Sequence, residues 1–418
     1  MNKAESIFKK NLTRRNFLKA SAALGATTLA LPGCSVFKPA ATEDAANIAE
    51  EGAKEEGVKV VRTVCAPNCT NSCGINVFVK DDKIIKVEPG DFPDPAYRRI
   101  CLKGIANAMQ RVYSPDRVKY PMKRVGERGE DKWEQISWEQ ALDEISAKHK
   151  EIAAKYGMEA NSFMNMTGNY GANAINIAQR IAYTMGATQI EHLGIMGDLA
   201  TNIAYLPTLG VLQEGHGWKD LMNSKLIIFF GCNFHETGLN DAHFLADALE
   251  AGVKLVVVDP RFTRTAAKAD WWIPIRPGTD AALALGMMNV IVSNNLQKDD
   301  YIRQYTTGPF LVRLDTGKFV LDKDLGGSTE DCVVWDAVEK KAVSVANLAN
   351  AALTGTYELT INGQKVKCSP SHQLLLNLIA EYTPEKASEI CEVPAEDIRK
   401  LALMYGETDP AMIRLSQG

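Results

Sequence analysis

The clearest early alternation of apolar and polar positions is INVFVKDDKIIKV, residues 75–87, with Asp81-Asp82 at its centre. A period of two around a polar pair predicts a β-hairpin. Residues 120–136 predict a second hairpin, turning at Glu127-Arg128-Gly129-Glu130-Asp131. Ser137-Trp138-Glu139-Gln140 then has the spacing of a capping box. Trp138, Ala141, Leu142, Ile145, Ile152 and Ala153 follow at helical intervals until Gly157 stops them. From there to about residue 295, apolar strands alternate with helical stretches. The best-defined unit is a strand over 225–230, a loop at Gly231-Cys232-Asn233, a helix over 241–251 and a strand over 254–258. Runs such as LIIFF and LVVV are apolar on both faces, as expected of a parallel sheet covered by helices. The right-handed crossover rule then puts the loops after both strands on one edge of that sheet.

Residues 308–369 break the rhythm. The segments FLVRL, FVLD, VVWD and ELTING, with turns between them, predict a β-rich insertion. Helical patterning resumes over 373–382 and 394–405. The last residues, Met412 to Gly418, form an apolar run ending in glycine, which predicts a strand entering a loop and hence a chain truncated inside a domain. The expected fold class is α/β and multi-domain: a small β-rich N-terminal unit followed by doubly wound parallel-sheet regions.

Composition adds little to this and charge somewhat more. The chain has 418 residues, 46% hydrophobic and 23% charged, and a net charge of −4. Residues 1–33 contribute six basic side chains and one acidic, so the remainder holds 41 against 50 and a net −9. Such a surface argues against nucleic acid as a partner, because phosphate binding needs a basic footprint. Arg14-Arg15-Asn16-Phe17-Leu18-Lys19, followed by the weakly apolar run Ala20 to Ala30, resembles a twin-arginine (Tat) export signal. A basic N-terminus before a short helix is the plainer alternative. Leu31-Pro32-Gly33-Cys34 resembles a lipoprotein cleavage box with an atypical proline, and would lipidate Cys34. Residues 35–57 lack an apolar period and read as a linker.

Four of the nine cysteines form a compact pattern, Cys65-x3-Cys69-x3-Cys73 and then Cys101 after 27 residues. Three thiolates in one tight loop with a fourth returning after a hairpin favour an iron–sulfur cluster. Structural zinc usually takes two closely spaced pairs. Disulfides would leave three evenly spaced cysteines in one short loop without a reason. CAPNCTNSC, RRICLKG and YSPDRVKYPMKRVGERGEDKWEQISWEQAL together resemble, in order and spacing, the opening of catalytic subunits of the DMSO reductase family. The resemblance implies a [4Fe–4S] cluster on Cys65, Cys69, Cys73 and Cys101. It also implies that Lys103, two residues past the fourth cysteine, lies between cluster and pterin and assists electron transfer. On the residues alone, Lys103 is an exposed lysine after a loop.

Asp259 ends the second strand of the clear unit, where a carboxylate could hold a ribose or guanine edge, and the loop after the first strand could cradle phosphates. GCNFHETG lacks the G-x-G-x-x-G pattern, so a nicotinamide or flavin site has little support. SKLIIFFGCN and KLVVVDPRFTRTAAKADWWIPIRPGTDAAL resemble the segment of the same family that binds molybdopterin guanine dinucleotide. That implies Asn233, Asp259, Arg261, Gly278, Thr279 and Asp280 as cofactor contacts, with Cys232 as buried filler. The family's DMSO reductases place a serine on molybdenum in a region corresponding here to residues 192–202. No serine is present, and Gly197 or Ala200 stands where it is expected. Asp198 is the first substitute, a hard oxygen ligand, and Thr201 the second; that none of them ligates the metal is a third reading. His192 reads equally as structural or as near the substrate; His216, His235 and His243 read as structural or exposed.

The resemblance implies a domain order of signal (1–34), linker (35–57), [4Fe–4S] domain (58–124), α/β molybdopterin region (125–307), β-rich insertion (308–370) and an incomplete further α/β region (371–418). It implies an exported molybdenum oxidoreductase with a Mo-bis(molybdopterin guanine dinucleotide) cofactor. Such an enzyme performs a two-electron reduction of a small-molecule acceptor, by oxygen-atom transfer or dehydroxylation. An iron–sulfur electron-transfer subunit and a membrane anchor subunit are the implied partners, and the periplasm or outer face of the membrane the implied site. Two rivals remain: a non-catalytic cofactor-binding fragment or half of a split enzyme, and a zinc-containing nicotinamide dehydrogenase.

Overall fold

The computed structural model describes residues 56–65, 73–164, 172–190, 198–210, 217–345 and 348–416. The chain divides into two compact units, Met1–Val60 and Val61–Gly418. The expected export signal with Cys34, and residues 35–55 of the expected linker, lie outside the described residues.

Strands β1 (Lys59–Val64), β2 (Gly74–Lys80) and β3 (Lys83–Pro89) form a sheet in that order. The expected first hairpin is β2–β3. Lys80 pairs with Lys83, and Asp81 and Asp82 both take positive φ (49° and 58°). Two left-handed residues match the twist of the flanking strands, and aspartate tolerates that region better than most residues. Ile75, Val77 and Phe78 are buried beneath it. Helix α1 (Leu102–Ala106) follows.

The second hairpin is also present, as β4 (Met122–Arg124) antiparallel to β5 (Trp133–Gln135). Helix α2 (Trp138–Tyr156) begins where expected, with Ser137 Oγ accepting from Gln140 N at 3.1 Å. The Gln140 side chain donates to Glu144 (3.0 Å), so the N-cap half of the capping box is what forms. Gly157 closes the helix at φ 94°.

A parallel pair, β6 (Ser162–Met164) and β7 (Thr188–Ile190), is joined through α3 (Ala172–Met185). Helix α4 (Asp198–Leu209) follows. The main sheet takes β8 (Leu226–Phe230), then α5 (Phe234–Thr237), α6 (Ala242–Glu250), β9 (Lys254–Val258) and β10 (Trp271–Ile273). Helices α7 (Asp280–Ser293) and α8 (Asp299–Tyr305) come next.

The β-rich insertion holds β11 (Leu311–Arg313), β12 (Val333–Asp336), β13 (Lys341–Ser344), β14 (Tyr357–Ile361) and β15 (Gln364–Pro370). The FVLD segment makes only isolated bridges, Val312 to Phe319 and Leu321 to Cys332, and no strand of its own. Helices α9 (Ser371–Ala380), α10 (Pro384–Cys391) and α11 (Ala395–Glu407) lead to β16 (Ala411–Leu415). Helix α10 was not expected from periodicity. Its signal is local: Thr383 Oγ1 accepts from Lys386 N at 3.3 Å and Pro384 occupies the first turn.

The main sheet has the order β10-β9-β8-β16, every neighbour parallel. β16 pairs with β8, so the chain leaves this sheet after β10 and returns to its opposite edge. Alternate residues of β8 feed two cores. Leu226, Ile228 and Phe230 pack with Leu283, Met287 and Val290 of α7 and with Ile398 and Leu401 of α11. Ile227 and Phe229 pack with Phe234, Phe244 and Leu245 on the other face. Burying each such side chain contributes about 1.5–3 kcal/mol, which is why all five residues of β8 are apolar.

Two outcomes follow from this packing. A Cβ on Gly286 of α7 would stand 2.7 Å from Ala387 Cβ and 3.3 Å from Ile398 Cγ2. Gly286→Ala is therefore expected to destabilise the fold by roughly 1–3 kcal/mol through overpacking, against the usual helix gain, as read by urea denaturation. Asp270 accepts from Lys254 Nζ (2.8 Å) and Leu255 N (2.9 Å). The lysine first, then the backbone N–H, hold its carboxyl below the ordinary value. A depressed carboxyl contributes stability above its unfolded value, about pH 4, and loses it as pH falls through the lower folded value. Asp270→Asn should thus cost stability at neutral pH and converge with the parent in acid.

Candidate functional site

Cys65 follows β1 and Cys73 precedes β2; the two are tied by Cys65 N donating to Cys73 O at 2.8 Å. Cys101 caps α1 in an extended conformation, with its carbonyl accepting from Gly104 N (3.0 Å) and Ile105 N (3.2 Å). These three cysteines, with Lys103 and Gly104, line one pocket whose far wall is Thr237, Leu239 and Asn240. Gly104 is required there: a Cβ would stand 2.7 Å from Ile100 Cγ1 and 3.1 Å from Cys65 Sγ. Three soft thiols bordering one pocket beside a glycine are a donor set that fits an iron–sulfur cluster. Among the described residues, no three His, Cys, Asp or Glu side chains converge on a single ion position. Cys69 lies outside the described residues.

Lys103 reaches across this boundary. Its Nζ donates to the main-chain carbonyl of Glu236 at 2.9 Å, so the cation joins the cysteine unit to α5 at the edge of the main sheet.

The parallel register sets that edge. Phe230 pairs with Val258, and Gly231 N donates to Val258 O at 2.9 Å, so the loops after β8 and β9 leave side by side. Gly231 turns at φ 56°. Asn233 Oδ1 accepts from Thr265 Oγ1 (3.1 Å), and its Nδ2 donates to Glu236 Oε2 (2.7 Å). The buried Thr265 hydroxyl also accepts from His235 N at 3.0 Å. Glu236 further holds Arg264 Nε at 3.2 Å and Arg261 at 3.8 Å. Asp259 is buried; its Oδ1 accepts from Arg261 N at 2.8 Å, and its carbonyl accepts from Trp272 Nε1 at 2.8 Å. Asn233, Asp259 and Arg261 therefore meet in one network.

Gly278, Thr279 and Asp280 stand after β10, on the same edge of the sheet by topology, at the start of α7. Thr279 Oγ1 donates to Arg276 O at 2.6 Å; Gly278 turns at φ 76° with open space around it. The side chains of Arg261 and Arg264 are 71% and 78% exposed at this edge, both beside Glu236. Two exposed cations beside an open glycine turn and a helix N-terminus fit an anionic, pyrophosphate-bearing group.

Cys232 is buried under the network, and burial first, then Asp259, push its thiol up to about 12. That chemistry suits packing and opposes ligation. Burial and then Lys268 hold His235 below the usual histidine value. Asp198 is the first residue of α4, with its side chain outside the described residues, as are the side chain of Thr201 and the whole of His192. The sequence reading did not single out Glu236, Arg264, Thr265 or Asn240. The two arginines of RFTR were one visible signal. For Glu236 there was none, because its role comes from what folds around it.

The family description Molybdopterin oxidoreductase matches residues 117–407, and the Molybdopterin oxidoreductase Fe4S4 domain matches residues 58–114. The TAT (twin-arginine translocation) pathway signal sequence matches residues 11–30. Perchlorate reductase subunit alpha of Dechloromonas aromatica is 32% identical over 96% of this chain and 48% of its own length. Dimethyl sulfoxide reductase DmsA of Escherichia coli is 33% identical over 86% of this chain and 40% of its own. Among solved structures, acetylene hydratase from Pelobacter acetylenicus superposes with a TM-score of 0.54 at 27% identity, covering 85% of this chain and 40% of that one. The chain spans about half the length of the relatives it matches. With its Fe4S4 domain, its molybdopterin region and a signal for twin-arginine export, the chain belongs to the molybdopterin oxidoreductase family, whose cofactors are a [4Fe–4S] cluster and molybdenum–molybdopterin.

Proposed function

We propose that this chain works within the catalytic subunit of an exported molybdenum oxidoreductase that transfers two electrons to a small oxygen-bearing acceptor, by oxygen-atom transfer or dehydroxylation. The observation that carries the reading is the Lys103–Glu236 contact at 2.9 Å, because it joins the cysteine pocket to the cofactor edge. Cys65, Cys69, Cys73 and Cys101 hold the cluster. A lysine ammonium there favours the reduced, more negative cluster and so electron entry. Asn233, Asp259, Arg261, Gly278, Thr279 and Asp280 hold the dinucleotide part of a bis(molybdopterin guanine dinucleotide) cofactor. In that assignment the arginine meets pyrophosphate, backbone N–H groups at the start of α7 meet a second phosphate oxygen, and the Asp259 and Asp280 carboxylates accept from guanine and ribose donors.

Bound molybdenum supplies the two-electron exchange with the substrate. Asp198, at the head of α4, is assigned as the protein's oxygen ligand to it. Relatives named as reductases of perchlorate and of dimethyl sulfoxide support a small oxyanion or sulfoxide-like acceptor. Relatives named as a subunit or a chain of a larger enzyme support further subunits; in this reading they are an iron–sulfur electron-transfer subunit and a membrane anchor subunit. The signal supports a periplasmic location, with Cys34 as the point of any lipid anchor.

Two measurements test these assignments. Cys101→Ser should lower iron from about four per chain and remove the reducible cluster signal in electron paramagnetic resonance. Retention of full iron would remove Cys101 from the ligand set, and zinc in place of iron in the parent protein would end the cluster reading. Arg261→Ala should keep its iron but release the pterin cofactor, with affinity weakened about ten- to hundredfold for a lost charge-assisted contact of roughly 1.5–3 kcal/mol. Molybdenum and guanine nucleotide assays after gel filtration read that loss directly.

A further inference from the structure

The far wall of the cysteine pocket comes from the loop between α5 and α6, and its polar member is Asn240. Asn240 is 8% exposed, and its Oδ1 is buried with no hydrogen-bond partner among the described residues. The main chain at this position is secured separately: His243 Nδ1 lies 3.0 Å from the Asn240 carbonyl. An unsatisfied buried amide oxygen costs about 1–3 kcal/mol, so a native position of this kind calls for a partner. The pocket it borders holds the sulfurs of Cys65, Cys73 and Cys101, with Lys103 and Thr237 beside them. As thiolate ligands those sulfurs accept hydrogen bonds and donate none. An amide oxygen set against such sulfurs would gain nothing. The same amide turned half a revolution about its last torsion presents an N–H donor instead.

We propose that Asn240 donates its side-chain amide N–H to a sulfur at the cluster site and so raises the cluster's reduction potential. The inference rests on the cluster reading above. Hydrogen bonds to cluster sulfurs favour the reduced form, since reduction adds one electron and with it negative charge on sulfur. Lys103 acts in the same sense by charge, with one of its three N–H donors on the Glu236 carbonyl, and Asn240 adds a neutral, directed donor. It is a positioning and tuning residue supplied by the molybdopterin side of the fold. The poise of the electron entry point is thereby linked to the loop that begins at Asn233.

The test is a potentiometric titration, followed by electron paramagnetic resonance, of the full-length holoenzyme and two variants, with iron and sulfide assays on each. Asn240→Leu removes the donor at nearly constant volume; Asn240→Asp removes it and adds negative charge. Both should keep parental iron, with midpoints falling in the order parent, leucine, aspartate. At the parental midpoint the reduced-to-oxidised ratio should drop about three- to tenfold in the leucine variant, tenfold being 59 mV for one electron. An unchanged midpoint at full iron content overturns the proposal and leaves the cluster reading intact. Loss of iron from both variants also overturns it, because a tuning residue is dispensable for assembly. A parent without iron removes the cluster reading and this proposal together.

Discussion

The parallel pairing of β8 with β9, register Phe230 to Val258, is the constraint on which the rest of this molecule depends. Neither strand has a solvent face, so each residue of β8 must be apolar, and the polar groups the chain needs are displaced to the strand ends. Because the strands run in the same direction, those ends fall on one edge. Asn233 and Asp259 thus become neighbours although 25 residues separate them in sequence. A one-residue slip would turn Phe229 and Phe230 to the wrong layers, so hydrophobic burial fixes the register. The register in turn sets the spacing of the polar groups.

On that edge the electrostatics are arranged around one carboxylate. Glu236 orders Asn233, Arg261 and Arg264 with its side chain and receives Lys103 with its carbonyl. The exposed ion pairs contribute little to stability, at most about 1 kcal/mol each. Their consequence is orientation: two guanidinium groups are held over an opening, with Glu236 beside them and the Asp259 carboxylate buried below. Exposed guanidinium groups at an opening suit a polyanionic cofactor. The short helix that carries Glu236 ends at Thr237 and its following loop holds Leu239 and Asn240, so one segment of about eight residues borders both the cofactor edge and the cysteine pocket.

Much of this was legible along the chain where the signal is local. Asp81-Asp82 between alternating strands, the Ser137 cap, Gly157 as a stop, and the apolar runs of β8 and β9 each encode structure within a few residues. Helix α10 escaped because its apolar positions are few and its cap is the stronger mark. The FVLD segment was expected to be a strand because Phe, Val and Leu favour one, but the neighbours meet it only at single bridges. Cys232 could be read as filler, and its burial agrees.

By itself the sequence determined the fold class, the cysteine spacing, the acidic surface, the export signal and the residue types at the strand ends. These follow from periodicity and composition, which act over short stretches of chain. Only the tertiary structure decided that β16 returns to pair with β8 across the 308–370 insertion, that Glu236 gathers two arginines, and that Asn240 lies against the cysteines. Those facts are sums over contacts between residues tens to hundreds of positions apart. Their energies depend on which buried faces find each other, and no local pattern in the chain records that choice.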